Sequence, residues 1–337
     1  MAISGDRPPG PTPWSDRHAW LHQTLRSRQL LPERARLLVA VSGGQDSIAL
    51  LRLLVDLRRL WGWSLVVAHC NHGWRSDAAA NATFVADLAN AWDLPCVVTV
   101  WAEPRSGEAA ARHWRYEALG TIAQEHHCPI VVTGHTATDR AETLLHHLVR
   151  GSGSDGLGSL DWQRAAPWGT LARPLLNWTR DETAAFCHDR HLTIWQDSTN
   201  ADDRYTRNRI RSQVLPLLRA QLNPQADRHL AQAAELLADE THWLAALTQQ
   251  WLAAHAIAAD RLDRHSLGQE PIALQRRVIR FWLTQCSGRS PTYEQVATVI
   301  ALLDAAHRSQ TGSLPGGAIV QVDHQELRWI DRRSPQP

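Results

Sequence analysis

Lysine is missing from this chain altogether: its 337 residues carry 35 basic side chains, and every one is arginine. A GC-rich coding bias explains this, along with the abundant alanine and the 16 tryptophans. The chemical consequence stands whatever the cause. Phosphate contacts must come from guanidinium forks or main-chain amides, never from a lysine point charge. Cysteine is scarce as well. Cys70, Cys96, Cys128, Cys187 and Cys286 are odd in number, widely spaced and free of any C-x-x-C. That spacing fits a reducing cytoplasm and argues against a zinc or iron–sulfur site. The adjacent pairs His126-His127 and His146-His147 form no H-x-x-x-H with a partnering carboxylate, so they are given no metal role. No apolar run is long enough to cross a bilayer. The first 30 residues have no signal-peptide apolar region, Arg7-Pro8-Pro9-Gly10-Pro11 being a loose polar head, and no membrane partner is expected. Net charge is only +1, which by itself does not announce nucleic acid. The length predicts two domains.

What is present begins at Ser42-Gly43-Gly44-Gln45-Asp46-Ser47, between the apolar run Leu37–Val41 and a helical pattern from Ile48 to Leu57. A strand, a tight glycine turn and a helix start aim main-chain N–H groups and the positive end of a helix dipole at one spot. The glycines admit positive φ and a close approach of phosphate, and Ser42 and Ser47 add hydroxyls. Asp46 would repel a bare phosphate; Mg²⁺ bridging carboxylate and phosphates removes the conflict. The pattern therefore predicts an ATP site, and one without the lysine of a Walker loop.

Ser15 can cap a first helix bearing Trp20, Leu21, Leu25 and Leu30. Strands are expected at Leu65–Ala68, Cys96–Trp101 and Ile130–Val132, alternating with helices at Ala78–Ala91 and Glu108–His126. This alternation predicts an α/β fold, a doubly wound and mostly parallel sheet. Its ligands should bind beyond the carboxyl ends of the strands, where Ser42, His69 and His135 all fall. The glycine-rich segment 151–169 is expected to be a long mobile loop. From about Val214 the pattern turns to long Ala/Leu/Gln-rich helices. The predicted domains are 1–211 and a smaller, mainly helical 212–337 that ends in a hairpin, Ala318–Val322 and Glu326–Ile330.

Three constellations accompany the loop. Asp139 and Glu142 share one helix face: Asp139 could be an N-cap with Glu142 completing a capping box, or the pair could hold a cationic amine. Arg112, Arg115 and Tyr116 also share a face, either solvated or clamping phosphate over the ATP site. Arg204, Arg207, Arg209 and Arg211 crowd a segment containing Tyr205, which is a solvated run or an RNA-backbone contact.

Taken in order, the segments Val39–Ser47, Ala68–Arg75, Glu108–Tyr116, Thr133–Thr143, Arg150–Gly153, Arg173–Leu176, Asp197–Asn200, Arg207–Arg211 and Leu274–Arg280 resemble the tRNA(Ile)-lysidine synthases. Ser42–Ser47 alone resembles the PP-loop of the N-type ATP pyrophosphatases. The resemblance implies that ATP adenylates O2 of cytidine 34 in the CAU anticodon of tRNA(Ile), and that free L-lysine then displaces AMP at C2. By matching position, Ser42, Gly43, Gly44, Gln45, Asp46 and Ser47, with His69 and Arg112, would bind the nucleotide, and Asp46 would hold Mg²⁺. Arg115 and Arg207 would clamp ATP or the activated base, while His135, Asp139 and Glu142 would receive the lysine amine. The chain looks like the compact form without an extra C-terminal module, and a homodimer is allowed. It departs from the family pattern at Ala137-Thr138 and at Arg140. A 2-thiocytidine thiolase would need cysteine pairs or a cluster, which the scattered cysteines disfavour. A metabolite amidotransferase would not need the arginine-rich junction. An inactive RNA-binding adaptor would not need an intact loop.

Overall fold

The computed structural model describes residues 14–73, 77–102, 107–158, 160–196 and 206–331. Of the segments singled out above, Trp74-Arg75, Asp197–Asn200, Arg204 and Tyr205 lie outside them. One compact unit extends to Ala238 and a second begins at Asp239. The expected boundary at Arg211–Ser212 thus falls inside the first unit.

The first unit opens with α1 (Asp16–Arg28), where Ser15 Oγ lies 2.8 Å from His18 Nδ1. It continues through β1 (Arg36–Ala40), α2 (Gln45–Trp61), β2 (Ser64–Asn71), α3 (Ala78–Ala91), β3 (Cys96–Val100), α4 (Glu108–Glu125), β4 (Ile130–Thr133) and α5 (Ala137–Val149). Next come the one-turn α6 (Ser154–Leu157), β5 (Gln163–Ala166), β6 (Gly169–Ala172) and α7 (Arg180–Asp189). α8 (Thr206–Arg209) runs into a π-turn (Ile210–Val214), α9 (Leu215–Gln221) and α10 (Ala226–His255), which carries the chain into the second unit.

The strands lie in the order β3-β2-β1-β4-β6-β5, parallel throughout except for the antiparallel edge strand β5. Both faces are buried, which is why the strands read as continuous apolar runs. Alternate residues divide between two cores: Leu37, Val39, Leu65, Val67 and Val132 pack on one face. Leu38, Val66, Ala68 and Val131 pack with Leu119, Ile122 and Ala123 of α4 on the other. The winding reverses between β1 and β4, so the loops that follow those strands diverge and leave a crevice between them.

The segment 151–169, expected as a long loop, holds α6 and the edge strand β5 instead. β5 was hidden because its residues Gln163, Arg164 and Ala165 are exposed and show no apolar alternation. Gln163 is nonetheless tied down by a 2.7 Å bond from its amide to the carbonyl of Leu30.

The second unit contains β7 (Ala256–Ala258), β8 (Arg261–Asp263), α11 (Arg264–Gly268), α12 (Ile272–Ser287), α13 (Tyr293–Ile300), β9 (Ile319–Asp323) and β10 (Glu326–Ile330). The expected hairpin β9–β10 is present, extended by β8 and β7 into a four-stranded sheet. Leu274, Val278, Ile279 and Trp282 of α12 form its core with Val320, Val322 and Leu327.

One contact fixes the crevice. A Cβ placed on Gly134, just after β4, would stand 2.9 Å from the carbonyl oxygen of Asp46 and 3.1 Å from Cα of Ser47. Only glycine lets the two loops approach this closely. Gly134→Ala should therefore lower unfolding free energy by about 1–3 kcal/mol, read by chemical denaturation. It should also weaken nucleotide binding; unchanged stability would show that the loops part without cost.

Candidate active site

The loop after β1 closes on itself. The Ser42 amide donates to Ser47 Oγ at 3.2 Å, the Gly44 amide to Ser42 Oγ at 3.4 Å, and Ser47 Oγ to the Gly44 carbonyl at 2.9 Å. The serine hydroxyls, expected to serve a phosphate, here shape the nest. Gly43 adopts φ +90°, and a Cβ there would meet Asn81 Oδ1 at 2.5 Å. Asn81 in turn donates to the Ser42 carbonyl at 3.0 Å, and the Trp195 amide to the Gly43 carbonyl at 2.9 Å. Two neighbours thus clamp the loop from outside, leaving the first-turn amides of α2 without intrahelical partners.

Asp46 stands in that first turn. Thr183 of α7 donates its hydroxyl to Oδ1, and the Arg180 guanidinium lies 3.5 Å from Oδ2. Gln45 ties the loop to α7, its amide on the Arg180 carbonyl at 2.7 Å and on Thr183 Oγ1 at 3.2 Å. Burial, opposed by Arg180 and reinforced by the charge of Asp139, raises the Asp46 carboxyl to about 6. A hard oxygen donor whose ionised form is expensive without a cation suits Mg²⁺.

Across the crevice, α5 starts one turn earlier than the Asp139/Glu142 capping box would require. Its N-cap is Thr136, whose amide and hydroxyl donate to Asp139 Oδ2 at 2.8 and 2.9 Å. The box is Thr136/Asp139, and Glu142 has no part in it. Asp139 Oδ1 faces Arg207 at 3.3 Å and Arg211 at 3.5 Å. Although burial raises the Asp139 carboxyl, these guanidinium groups and His135 hold it down at about 2. Glu142 is wholly buried and takes Arg211 in a fork (Nε to Oε1 2.5 Å, NH2 to Oε2 2.8 Å) and Arg207 Nε at 3.0 Å. α8 and the π-turn are held against α5 by Ile210 and Leu215 packing on Ala141. His135 Nδ1 lies 2.9 Å from Thr133 Oγ1, and burial pushes its imidazole down to about 3, so the ring is neutral.

One cavity of about 1050 Å³ brings these groups together. Of the residues predicted from sequence, Ser42, Gly44, Gln45, Asp46, Ser47, His69, Arg112, Arg115, His135, Asp139 and Arg207 line it. Gly43 and Glu142 do not: the first acts through backbone shape, the second lies behind its arginines. His69 braces the wall, its Nδ1 2.8 Å from the Val41 carbonyl. Arg112 and Arg115 straddle the Tyr116 ring at 5.1 and 5.6 Å, which resolves the α4 cluster as a lining rather than a solvated face. Arg209 donates to Thr206 Oγ1 and is absent from the lining.

Sequence reasoning missed Arg180, Thr183, Asn81 and Trp195. The Thr179-x-x-Glu182 capping box that opens α7 is legible in the sequence, and it is formed. Nothing local, however, reveals that this helix end abuts α2. Arg211, read from the sequence only as part of a solvated or RNA-contacting run, also lines the cavity. The departures at Thr138 and Arg140 belong to the scaffold. Thr138 donates to Asp227 at 2.7 Å, and buried Arg140 pairs with Glu235 at 2.9 Å.

Residues 18–218 match the model of the PP-loop domain, and residues 262–327 that of the TilS substrate binding domain. The chain is 51% identical to the tRNA(Ile)-lysidine synthase of a Synechococcus species, over 94% of this chain and 98% of that protein. It is 47% identical to that of a Nostoc species, over 95% and 98%. The Thermosynechococcus vestitus protein of the same name is 46% identical, over 96% and 94%. Among solved structures, the U34-tRNA thiolase NcsA from Methanococcus maripaludis with its [4Fe-4S] cluster shares the fold. The TM-score is 0.56 at 14% identity, covering 66% of this chain and 78% of that one.

The raised Asp46 carboxyl has a thermodynamic signature. Between its ordinary value of 3.8 and about 6 the folded protein holds a proton that the unfolded chain has lost. Stability therefore falls as pH rises through that window. Asp46→Asn should stabilise the ligand-free protein by about 1–3 kcal/mol near pH 7.5 and by almost nothing near pH 4. Denaturant titrations at both pH values check this; equal effects at the two would refute the assignment.

Proposed function

The chain belongs to the tRNA(Ile)-lysidine synthase family, and on that premise we propose how its cavity joins free L-lysine to cytidine 34 of a CAU-anticodon tRNA(Ile). The observation that carries the reading is the meeting, in one cavity, of the Asp46 elbow, the His135/Asp139 strand end and the arginines 112, 115 and 207. The first set suits a triphosphate, the second an amine.

In the first half-reaction the amide nest and the α2 dipole receive the phosphates, with Arg112 and Arg115 as fork donors. Cytosine O2 attacks the α-phosphorus and pyrophosphate leaves. Asp46 would hold Mg²⁺, which supplies neutralisation of phosphate charge. In the second half-reaction the lysine ε-amine attacks C2 and AMP departs. The amine must react as its free base; with His135 held at about 3 and Asp139 at about 2, both are weak bases that accept hydrogen bonds from the amine and orient it, and the released proton passes to solvent. Arg207, which lines the cavity beside Asp139, would steady the leaving phosphate.

The match of residues 262–327 to a substrate binding domain supports assigning tRNA contacts to the second unit. A tRNA substrate implies work in the cytoplasm, and no helix among the described residues is long and apolar enough to cross a membrane. A homodimer is compatible with this reading and no step requires one. Thiolase chemistry is disfavoured by the cysteines: Cys70 alone lines the cavity, and burial pushes its thiol up to about 11.

Incubation with ATP, Mg²⁺, labelled lysine and tRNA(Ile) bearing CAU should place label in the tRNA. Asp46→Asn or a UAU anticodon should abolish incorporation, and no label with the parent protein and CAU would end the proposal. Arg207→Ala should slow turnover about 100-fold or more, as for a lost transition-state donor, and Arg209→Ala far less. Equal losses would remove the distinction drawn from the cavity lining.

A further inference from the structure

Asp139 and Glu142, assigned above to the lysine amine, are not waiting for a cation. Two guanidinium groups already answer both carboxylates. Arg211 makes the larger share, forking across both Glu142 oxygens and reaching Asp139. The sum over Asp139, Glu142, Arg207 and Arg211 is zero charge. Other charges acting on this corner come from α2 (Asp46), α4 (Arg112 and Arg115), α7 (Arg180) and α9 (Arg219) and from Arg173, with the neutral ring of His135 beside them. An arriving ammonium would gain little from so neutralised a pair.

Arg211 differs from Arg207 in its backbone rather than in its exposure, which is 24% against 23%. It sits on the five-residue π-turn Ile210–Val214. A π-turn carries one residue more than an α-helical turn and commonly marks a functional site. Its side chain borders the cavity and is 24% exposed, whereas Glu142 is sealed at 0%. Space for a withdrawn guanidinium therefore exists in the cavity itself.

We propose that Arg211 is a built-in occupant of the lysine seat: its guanidinium holds the carboxylates until the substrate amine displaces it. Selectivity follows, because a ligand must replace a forked guanidinium rather than fill an empty anionic hole. This rests on the proposed lysine site, and the test separates the two. Lysine is titrated calorimetrically into the parent, Arg211→Met, Arg211→Lys and Asp139→Asn, each checked for folding by circular dichroism. Arg211→Met should bind lysine roughly tenfold more tightly, within the usual range for coupled equilibria. Guanidinium chloride should then compete with lysine in Arg211→Met but hardly in the parent. Arg211→Lys, keeping the charge without the fork, should fall between them. Weaker or unchanged lysine binding in folded Arg211→Met, with no guanidinium competition, would make Arg211 a fixed counter-ion and overturn the proposal. Should Arg211→Met fail to fold, Arg211→Lys carries the test: its lysine affinity must exceed the parent's or the proposal fails. Unaltered lysine binding in Asp139→Asn would instead overturn the lysine site itself.

Discussion

Glu142 has no access to water, and a carboxylate in that position can stay ionised only if its charge is met in full. Much of the site's form follows from that demand. Arg211 and Arg207 must converge on it, so α8 and the π-turn must lie along α5, and Ile210 must bury against Ala141 to hold them there. The same two guanidinium groups then spill over onto Asp139, which fixes the orientation of the carboxylate that does reach the cavity. A charge that does not line the cavity thereby sets the geometry of groups that do.

The other side of the crevice solves the opposite problem. Asp46 is poorly compensated: one long contact to Arg180, a hydroxyl from Thr183, and the repulsion of Asp139 across the gap. The fold spends its arginines on the amine side and leaves the phosphate side short of positive charge at the carboxylate. That imbalance is what a metal–nucleotide complex would correct. The two loops stay close enough to feel each other because Gly134 lets the β4–α5 loop rest on the backbone of Asp46 and Ser47.

How much of this was written locally in the chain depends on the range of the interaction. The buried parallel strands were legible because both faces are apolar, and the nucleotide elbow because strand, glycines and helix start are contiguous. Strand ends point to Ser42, His69 and His135 as neighbours, and all three line the cavity. Thr183 and Arg180 were invisible because they reach Asp46 across more than 130 residues, and no periodicity encodes which helix end meets which loop. β5, β6, β7 and β8 escaped for another reason: strands of three or four residues are stabilised by pairing and are too short to carry a pattern of their own. Of the two readings open for Asp139 and Glu142, the capping box does not form between them; Thr136 takes the N-cap and Asp139 closes the box.

The absence of lysine acquires a local meaning at this site. A guanidinium presents several donors in a plane, so Arg211 can span both oxygens of Glu142 and still address Asp139. An ammonium on a flexible stem could meet these acceptors only as a point charge, and burial would press it to give up its proton. Coding bias accounts for the 35 arginines as a set, but not for the geometry in which these two are used. With guanidinium groups the neutralisation of the carboxylate pair does not vary over the working pH range. Any protonation change that accompanies the reaction must then fall on the substrate amine, on His135 or on Asp46.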